Sequence, residues 1–561
     1  MGSDNDRRVL LAIALIMVVY YVWVAFISPP PPVVEPAASV VASAPADGGA
    51  AAGGGAPVLA ANPVATAGSL AAPAQVVPER REDLASDTWR AVLSSAEGGL
   101  SDLTLKDYTT APVVSPIWTW ALGKVTSGGE GGWQPYAGGD SPYRLLTQDG
   151  ALGVAGVGAL GPDQGYLVES TGQGFIARRT LPSGLVISKR YQPGEDPHTL
   201  RVEVEFDNRA GPAVDRLWVG VIDQMLAGAG RFDNVSRPQA VVDGDIEHLL
   251  DLEDLAGEET ERLDGPVSWV GVGDRYFMAS LALDAPLEGA AVFDTLADGR
   301  TGAFVVDSTP LDAGATRTYS FVAYMGPKEL DLLQRLGHDL DEAVEFGFFG
   351  FFSRMLLFLL KVAQMGVVNW GLAIMALTLL VKAVFFPLTQ RAFVSGKKMQ
   401  ALQPLMKEVQ EKYKDNKELQ SVETMKLFTE HGVNPMGGCL PTLVQMPVWF
   451  ALYGVMLNSV ELFDSRFLYL KDLTAADPYG VLPVLYAILI VWQQHLTPMT
   501  GLDPAQQKMM KLLPLVFAFM MFTFPSGLVL YFCVNILLTV FQQWLINRTF
   551  DAASLQRPAT T

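Results

Sequence analysis

The chain has 561 residues, half of them apolar, with a mean hydropathy of +0.24, a balance that a single water-soluble domain seldom shows. Its net charge of −19 is uneven: residues 33–345 carry 21 Lys+Arg and 45 Asp+Glu, a net −24, which leaves +5 for the remainder. The acidic middle argues against nucleic-acid binding there, and the two cysteines, Cys439 and Cys533, lie outside it, so it holds no disulfide framework. No Cys/His metal spacing occurs, and Gly396-Lys397-Lys398 is the nearest approach to a phosphate-cradling loop.

Residues 9–27 form an uninterrupted apolar run, long enough to span about 30 Å of hydrocarbon, and Arg7 and Arg8 precede it. The run is read as an uncleaved anchor (residues 1–28) with a cytoplasmic N-terminus. A cleaved signal peptide is the alternative, against which stand its length and the lack of a clean A-x-A site. Residues 29–85, rich in Pro, Ala and Gly, read as a flexible linker. Over 86–327, short alternating runs recur between Gly, Asp and Pro: Gly184–Tyr191, Thr199–Phe206, Arg216–Ile222, Ala303–Asp307 and Thr316–Ala323. They predict an all-β sandwich. Its acidity places it on the periplasmic side, since translocated domains escape the Lys/Arg bias.

From 328 the periodicity turns helical. Residues 328–368 read as amphipathic helices; in Phe348–Gln364, Arg354, Lys361 and Gln364 share one face of an apolar segment. That split predicts a helix lying in the membrane interface, with a further crossing as the alternative. The core, 369–548, then crosses at Trp370–Pro387, Leu440–Val460, Tyr479–His495, Leu512–Phe524 and Leu528–Ile546. With the anchor this makes six spans, five of them in one polytopic helical bundle. The Leu512–Phe524 run is short, about 20 Å at 1.5 Å per residue, which predicts an inward-shifted helix or a thinned bilayer. Eight Lys+Arg in 391–431, Lys508 and Lys511 before the fifth crossing, and Arg548 and Arg557 near the C-terminus put those parts, with the tail 549–561, in the cytoplasm.

Within 391–431, Met399, Leu402, Met406, Val409 and Tyr413 repeat at 3-4-3-4 spacing. Asp415-Asn416 breaks the seam, and Leu419, Val422, Met425 and Phe428 give a second stripe. The pattern predicts a cytoplasmic antiparallel helical hairpin, with a kink or a helix start at Pro404. A solvated hairpin and a docking arm both fit it.

Lys382 is the strongest pointer to function. It sits deep in an apolar span, where an ionisable group costs roughly 2.5–3.5 kcal/mol and so usually faces protein or a wet cavity. Thr378 lies one turn earlier on the same face. Gln445, Gln493, Gln494, Thr523 and Asn535 punctuate the other spans, and together these side chains predict one hydrophilic groove. The competing reading has Lys382, five residues before Pro387, snorkelling to the headgroups. A Pro/Gly run, Asn434-Pro435-Met436-Gly437-Gly438-Cys439-Leu440-Pro441, precedes Gln445-Met446-Pro447, and Phe524-Pro525-Ser526-Gly527-Leu528 turns between the last two spans.

These motifs, with Trp370-Gly371, Phe386-Pro387-Leu388-Thr389 and Gln506-Gln507-Lys508, resemble those of the YidC family of membrane protein insertases, in order and spacing over about 200 residues from 345 to 548. The resemblance implies an inner-membrane insertase and chaperone, not an enzyme and without a cofactor. It implies a groove formed by Lys382, Thr378, Gln445, Gln494, Thr523 and Asn535, open to the cytoplasm and lipid. Nascent membrane proteins would leave past Met446, Phe450, Tyr531 and Phe532, while Asn434, Pro435, Gly437, Gly438, Pro441, Pro447, Pro525 and Gly527 shape the turns. The implied partners are those nascent chains, the lipid bilayer, the Sec translocon and the ribosome, with no nucleic acid bound directly. The family's usual groove cation is Arg; Lys382 keeps the charge but lacks the planar fork.

Two rivals weigh less. A transporter usually shows repeated halves, absent here, and an enzyme in the sandwich, a fold similar to sugar mutarotases, would have to work with His198 and His248. If the sandwich is peripheral to insertion, deleting most of residues 90–320 leaves insertion largely intact in depleted cells. Complete loss would show the opposite.

Overall fold

The structure is a computed structural model. It describes residues 80–549, apart from 110–112, 115–135, 138–141, 147–149, 158–164, 173, 224–235, 249–259, 297–299, 415, 432–439 and 497–503. The expected anchor, most of the linker, the Asn434–Cys439 turn and the C-terminal tail lie outside the described residues.

The five alternating runs all form strands. Thr199–Asp207 and Thr316–Pro327 alternate buried and exposed positions and pair antiparallel along their length. The main sheet path runs Arg81–Ala85, Trp89–Ser94, Gly99–Thr109, Ala151–Val157, Leu217–Asp223, Thr301–Asp307, Phe277–Thr295, Thr316–Pro327, Thr199–Asp207, Val186–Pro193, Phe175–Thr180 and Leu167–Ser170. Its first strand lies inside the stretch read as linker: the charged REDLA segment pairs with Trp89–Ser94 and seals Leu84 beneath it. Residues from both ends of the path, such as Leu93, Leu100 and Leu152 against Ile187, Val202 and Phe206, share one buried cluster. The sheet therefore folds back on itself as a sandwich.

A short helix, α1 (Leu330–Leu336), and a 3₁₀ turn at Leu340–Ala343 lead out of the sandwich. Trp269, fully buried, donates its ring N–H to the Asp339 carbonyl at 3.0 Å. Trp269, Met278 and Tyr324 share a second apolar cluster with Leu333 and with helix residues as far along the chain as Val540. The helices that follow among the described residues are α2 (Gly350–Val367), α3 (Trp370–Ala401), α4 (Gln403–Lys412), α5 (Lys417–Glu430), α6 (Leu440–Asn458), α7 (Val481–Leu496), α8 (Pro504–Met520) and α9 (Ser526–Thr549). Among the described residues, three segments are long and apolar enough to cross a membrane by length and composition: Gly347–Val367, Trp370–Ala401 and Ser526–Arg548; Val481–Leu496 is shorter.

Three boundaries differ from expectation. α3 runs through Pro387 to Ala401 as one helix, so the hairpin's first arm is α4, with Pro404 in its first turn, where a missing N–H costs nothing. α8 starts at Pro504, not Leu512, and its 17 residues extend about 25 Å. The chain turns before Ser526, and Gly527 already lies in the first turn of α9, where a Cβ would meet the Leu473 carbonyl at 3.1 Å and Met456 Sδ at 3.2 Å. In the hairpin, Leu402, Met406 and Phe428 form the seam, with Met399 packed on it, while Leu419, Val422 and Met425 stay exposed.

α2 exposes an apolar edge of Phe351, Met355, Phe358, Val362 and Met365 and turns Lys361 inward, 2.7 Å from both Asp331 on α1 and Glu461 in the α6–α7 loop. That loop closes the sandwich end of the bundle. Phe463 packs its ring against Tyr276 and Phe277 of the sandwich, and Phe467 lies on Gly371, where a Cβ would fall 2.2 Å from its ring. Ser526 and Gly527 donate their N–H groups to Ala475 and Leu473, and Asp477 accepts from the Leu482 N–H at the head of α7.

Lys328, at the exit of the sandwich, is buried with a 3.0 Å bond to Gln239 Oε1, and burial pushes its pKa down to about 8. Between pH 8 and 10.5 the unfolded chain holds a proton that the folded chain has released, so this group adds stability as pH rises. Relative to Lys328→Met, the parent protein should gain up to about 3 kcal/mol over that window, read by denaturation at several pH values. A constant difference would contradict the buried-charge account.

Candidate functional site

The polar side chains of the bundle converge on α9. Asn535, Thr539, Gln542 and Gln543 are each less than 10 % exposed, and the first three, spaced four and three apart, stand on one face. Three neighbours reach this stripe. Gln445 of α6 donates through Nε2 to Asn535 Oδ1 at 3.4 Å. Lys382 of α3 donates to Thr539 Oγ1 at 2.7 Å, and Thr539 donates to the Asn535 carbonyl, also at 2.7 Å. Thr389 of α3 and Gln542 join side chain to side chain at 3.0 Å.

The helix directions follow from these contacts. Ile374 and Met456 both lie beside Gly527 at the start of α9, whereas Lys382 and Gln445 meet it further along. Hence α3 runs parallel to α9 and α6 antiparallel. Lys382 stands twelve residues into α3, about 18 Å along the helix from its sandwich end. The sandwich end is plugged by Phe467 on Gly371; the polar ties lie towards the far end. Among the described residues no carboxylate pairs with Lys382, so the site presents one uncompensated positive charge inside an apolar bundle.

Of the expected groove residues, Lys382, Gln445 and Asn535 come together. Thr378 is fully buried and gives its proton to the Ile374 carbonyl of its own helix. Gln494 is half-buried on α7, which packs against α9. Thr523 does not join the group: it is exposed in the turn before α9, its hydroxyl on the Met520 carbonyl. Thr539, Gln542 and Thr389 are not among the residues expected from the sequence to line the groove, although the positions of Thr539 and Gln542 four and seven residues after Asn535, and the Phe386–Thr389 motif, carry the signal. Met446 and Phe450 are exposed on α6, whereas Tyr531 and Phe532 face the bundle interior. Pro447 and Pro525 fall inside α6 and just before α9, and Pro441 in the first turn of α6.

A separate concavity of about 650 Å³ in the sandwich is lined by Asp87, Trp89, Glu195, Asp196 and His198 among others. Burial lowers the His198 pKa, and among the described residues no carboxylate hydrogen-bonds to its ring.

Residues 361–553 match the family model described as 60Kd inner membrane protein, and residues 178–359 match the one described as YidC periplasmic domain. A relative from Geobacter sulfurreducens, named Membrane protein insertase YidC, is 36 % identical over 66 % of this chain and 70 % of its own length. Another of the same name, from Oleidesulfovibrio alaskensis, is 34 % identical over 87 % of this chain and 90 % of its own. A solved structure described as an active YidC insertase with the first transmembrane domain resolved is 18 % identical and covers 83 % of this chain and 92 % of that one, with a TM-score of 0.35; at that score the likeness carries no weight.

Proposed function

Since this chain belongs to the YidC family of membrane protein insertases, we propose that it moves nascent membrane proteins into the bacterial inner membrane through a hydrophilic groove built on the polar stripe of α9. The observation that carries this reading is the Lys382 ammonium, held at mid-bundle beside hydroxyls and amides with no counter-ion among the described residues. An acidic or polar tail of a substrate is drawn to that charge. Water around the tail and the lining amides reduces the cost of moving it out of bulk solvent. The membrane potential and the partitioning of the substrate's own apolar segment then complete the transfer without ATP.

The plug of Phe467 on Gly371 supports a groove closed at the sandwich end and open at the other, with the sandwich periplasmic and both termini cytoplasmic. That arrangement uses six spans, with the hairpin of α4 and α5 in the cytoplasm. The uncovered Leu419, Val422 and Met425 favour a docking arm over a merely solvated one, with the ribosome as the occupant that fits a protein acting on nascent chains. Met446 and Phe450, already exposed, are the first side chains met by a segment leaving towards lipid; Tyr531 and Phe532 join them once α6 draws back from α9. The protein acts alone or beside the Sec translocon.

Lys382→Ala and Lys382→Glu should each lower insertion of substrates with acidic translocated tails several-fold in cells depleted of the native protein, the Glu variant more. Normal insertion by both would refute the groove charge.

A further inference from the structure

We propose that Thr539 is the positioning residue that keeps the Lys382 ammonium in the groove, and that without it the lysine withdraws along its stem towards the far-end headgroups. This rests on the reading of Lys382 as the groove cation. Lysine has a flexible four-carbon stem and a compact head, so its address is set by whatever accepts its protons. Five residues before Pro387, it has two destinations, the interior and the membrane surface.

The acceptor it meets is directional. A hydroxyl owns one proton, and that of Thr539 is committed to the Asn535 carbonyl at 2.7 Å, so its lone pairs face Lys382 Nζ, 2.7 Å away. The β-branched side chain has few χ1 states in a helix, and this bond to the carbonyl four residues back selects one of them. The neighbouring polar groups are engaged elsewhere: Asn535 Oδ1 with Gln445, Gln542 with Thr389, Thr378 with Ile374. Thr539 takes one of the three ammonium protons, which leaves two for a carboxylate arriving in the groove. The tether therefore fixes the cation without neutralising it.

The test measures insertion of two matched substrates, one with an acidic translocated tail and one with an uncharged tail, in depleted cells expressing the full chain. Thr539→Val, similar in size but lacking the hydroxyl, should lower insertion of the acidic-tailed substrate several-fold, approaching Lys382→Ala, and spare the uncharged one. Thr539→Ser should restore it. Thr539→Ala serves as a second variant if the Val protein does not accumulate in the membrane. Equal loss for both substrates would assign Thr539 to packing alone. No loss with Val or Ala, where Lys382→Ala does impair insertion, would also overturn the proposal. Insertion unaffected by Lys382→Ala would instead strike the groove-charge reading beneath it.

Discussion

A charge inside an apolar bundle must find its hydrogen-bond partners in the protein, because lipid offers none. Here that demand falls on one helix. The stripe of Asn535, Thr539 and Gln542 on α9 receives a lysine and a threonine from α3 and a glutamine from α6. These ties fix which faces of three helices meet and in which register. The apolar packing around them, from Ile374 to Val540, follows from that choice.

The two ends of the bundle solve different problems. At the sandwich end, backbone groups of the α6–α7 loop receive the first N–H groups of α9, and aromatic rings fill the remaining space. This end is tightly packed. Towards the far end the ties are made by side chains, an ammonium with amides and hydroxyls, from 2.7 Å between Lys382 and Thr539 to 3.4 Å between Gln445 and Asn535. The asymmetry is what a one-sided groove requires.

Much of this was legible in the sequence because it depends on local pattern. The alternating runs gave the strands, and the apolar runs with their basic flanks gave the helices of the core. Lys382, Gln445 and Asn535 stood out as polar letters in apolar words. What failed depended on partners outside the segment being read. Arg81–Ala85 carries three charges and reads as linker until Trp89–Ser94 pairs with it. Pro387 reads as a helix end, yet α3 continues through it, as proline in a packed bundle can be accommodated by neighbouring polar groups. Thr523 has the same chemistry as Thr539 and differs only in lying in the turn, about 20 Å before it along the α9 direction. Threonine is common in apolar helices, and what distinguishes Thr539 is the Lys382 ammonium resting on it.

Phe463 has a mechanical consequence. Its ring is seated among Tyr143, Tyr276 and Phe277 in the sandwich, while the backbone that follows it carries Phe467 onto Gly371 and supplies the carbonyls that start α9. A tug on the sandwich is thus delivered, through a few residues of loop, to the stopper of the bundle. Any protein that grips the sandwich acquires a lever on that stopper, and the length of the lever is set by the three residues between two phenylalanines.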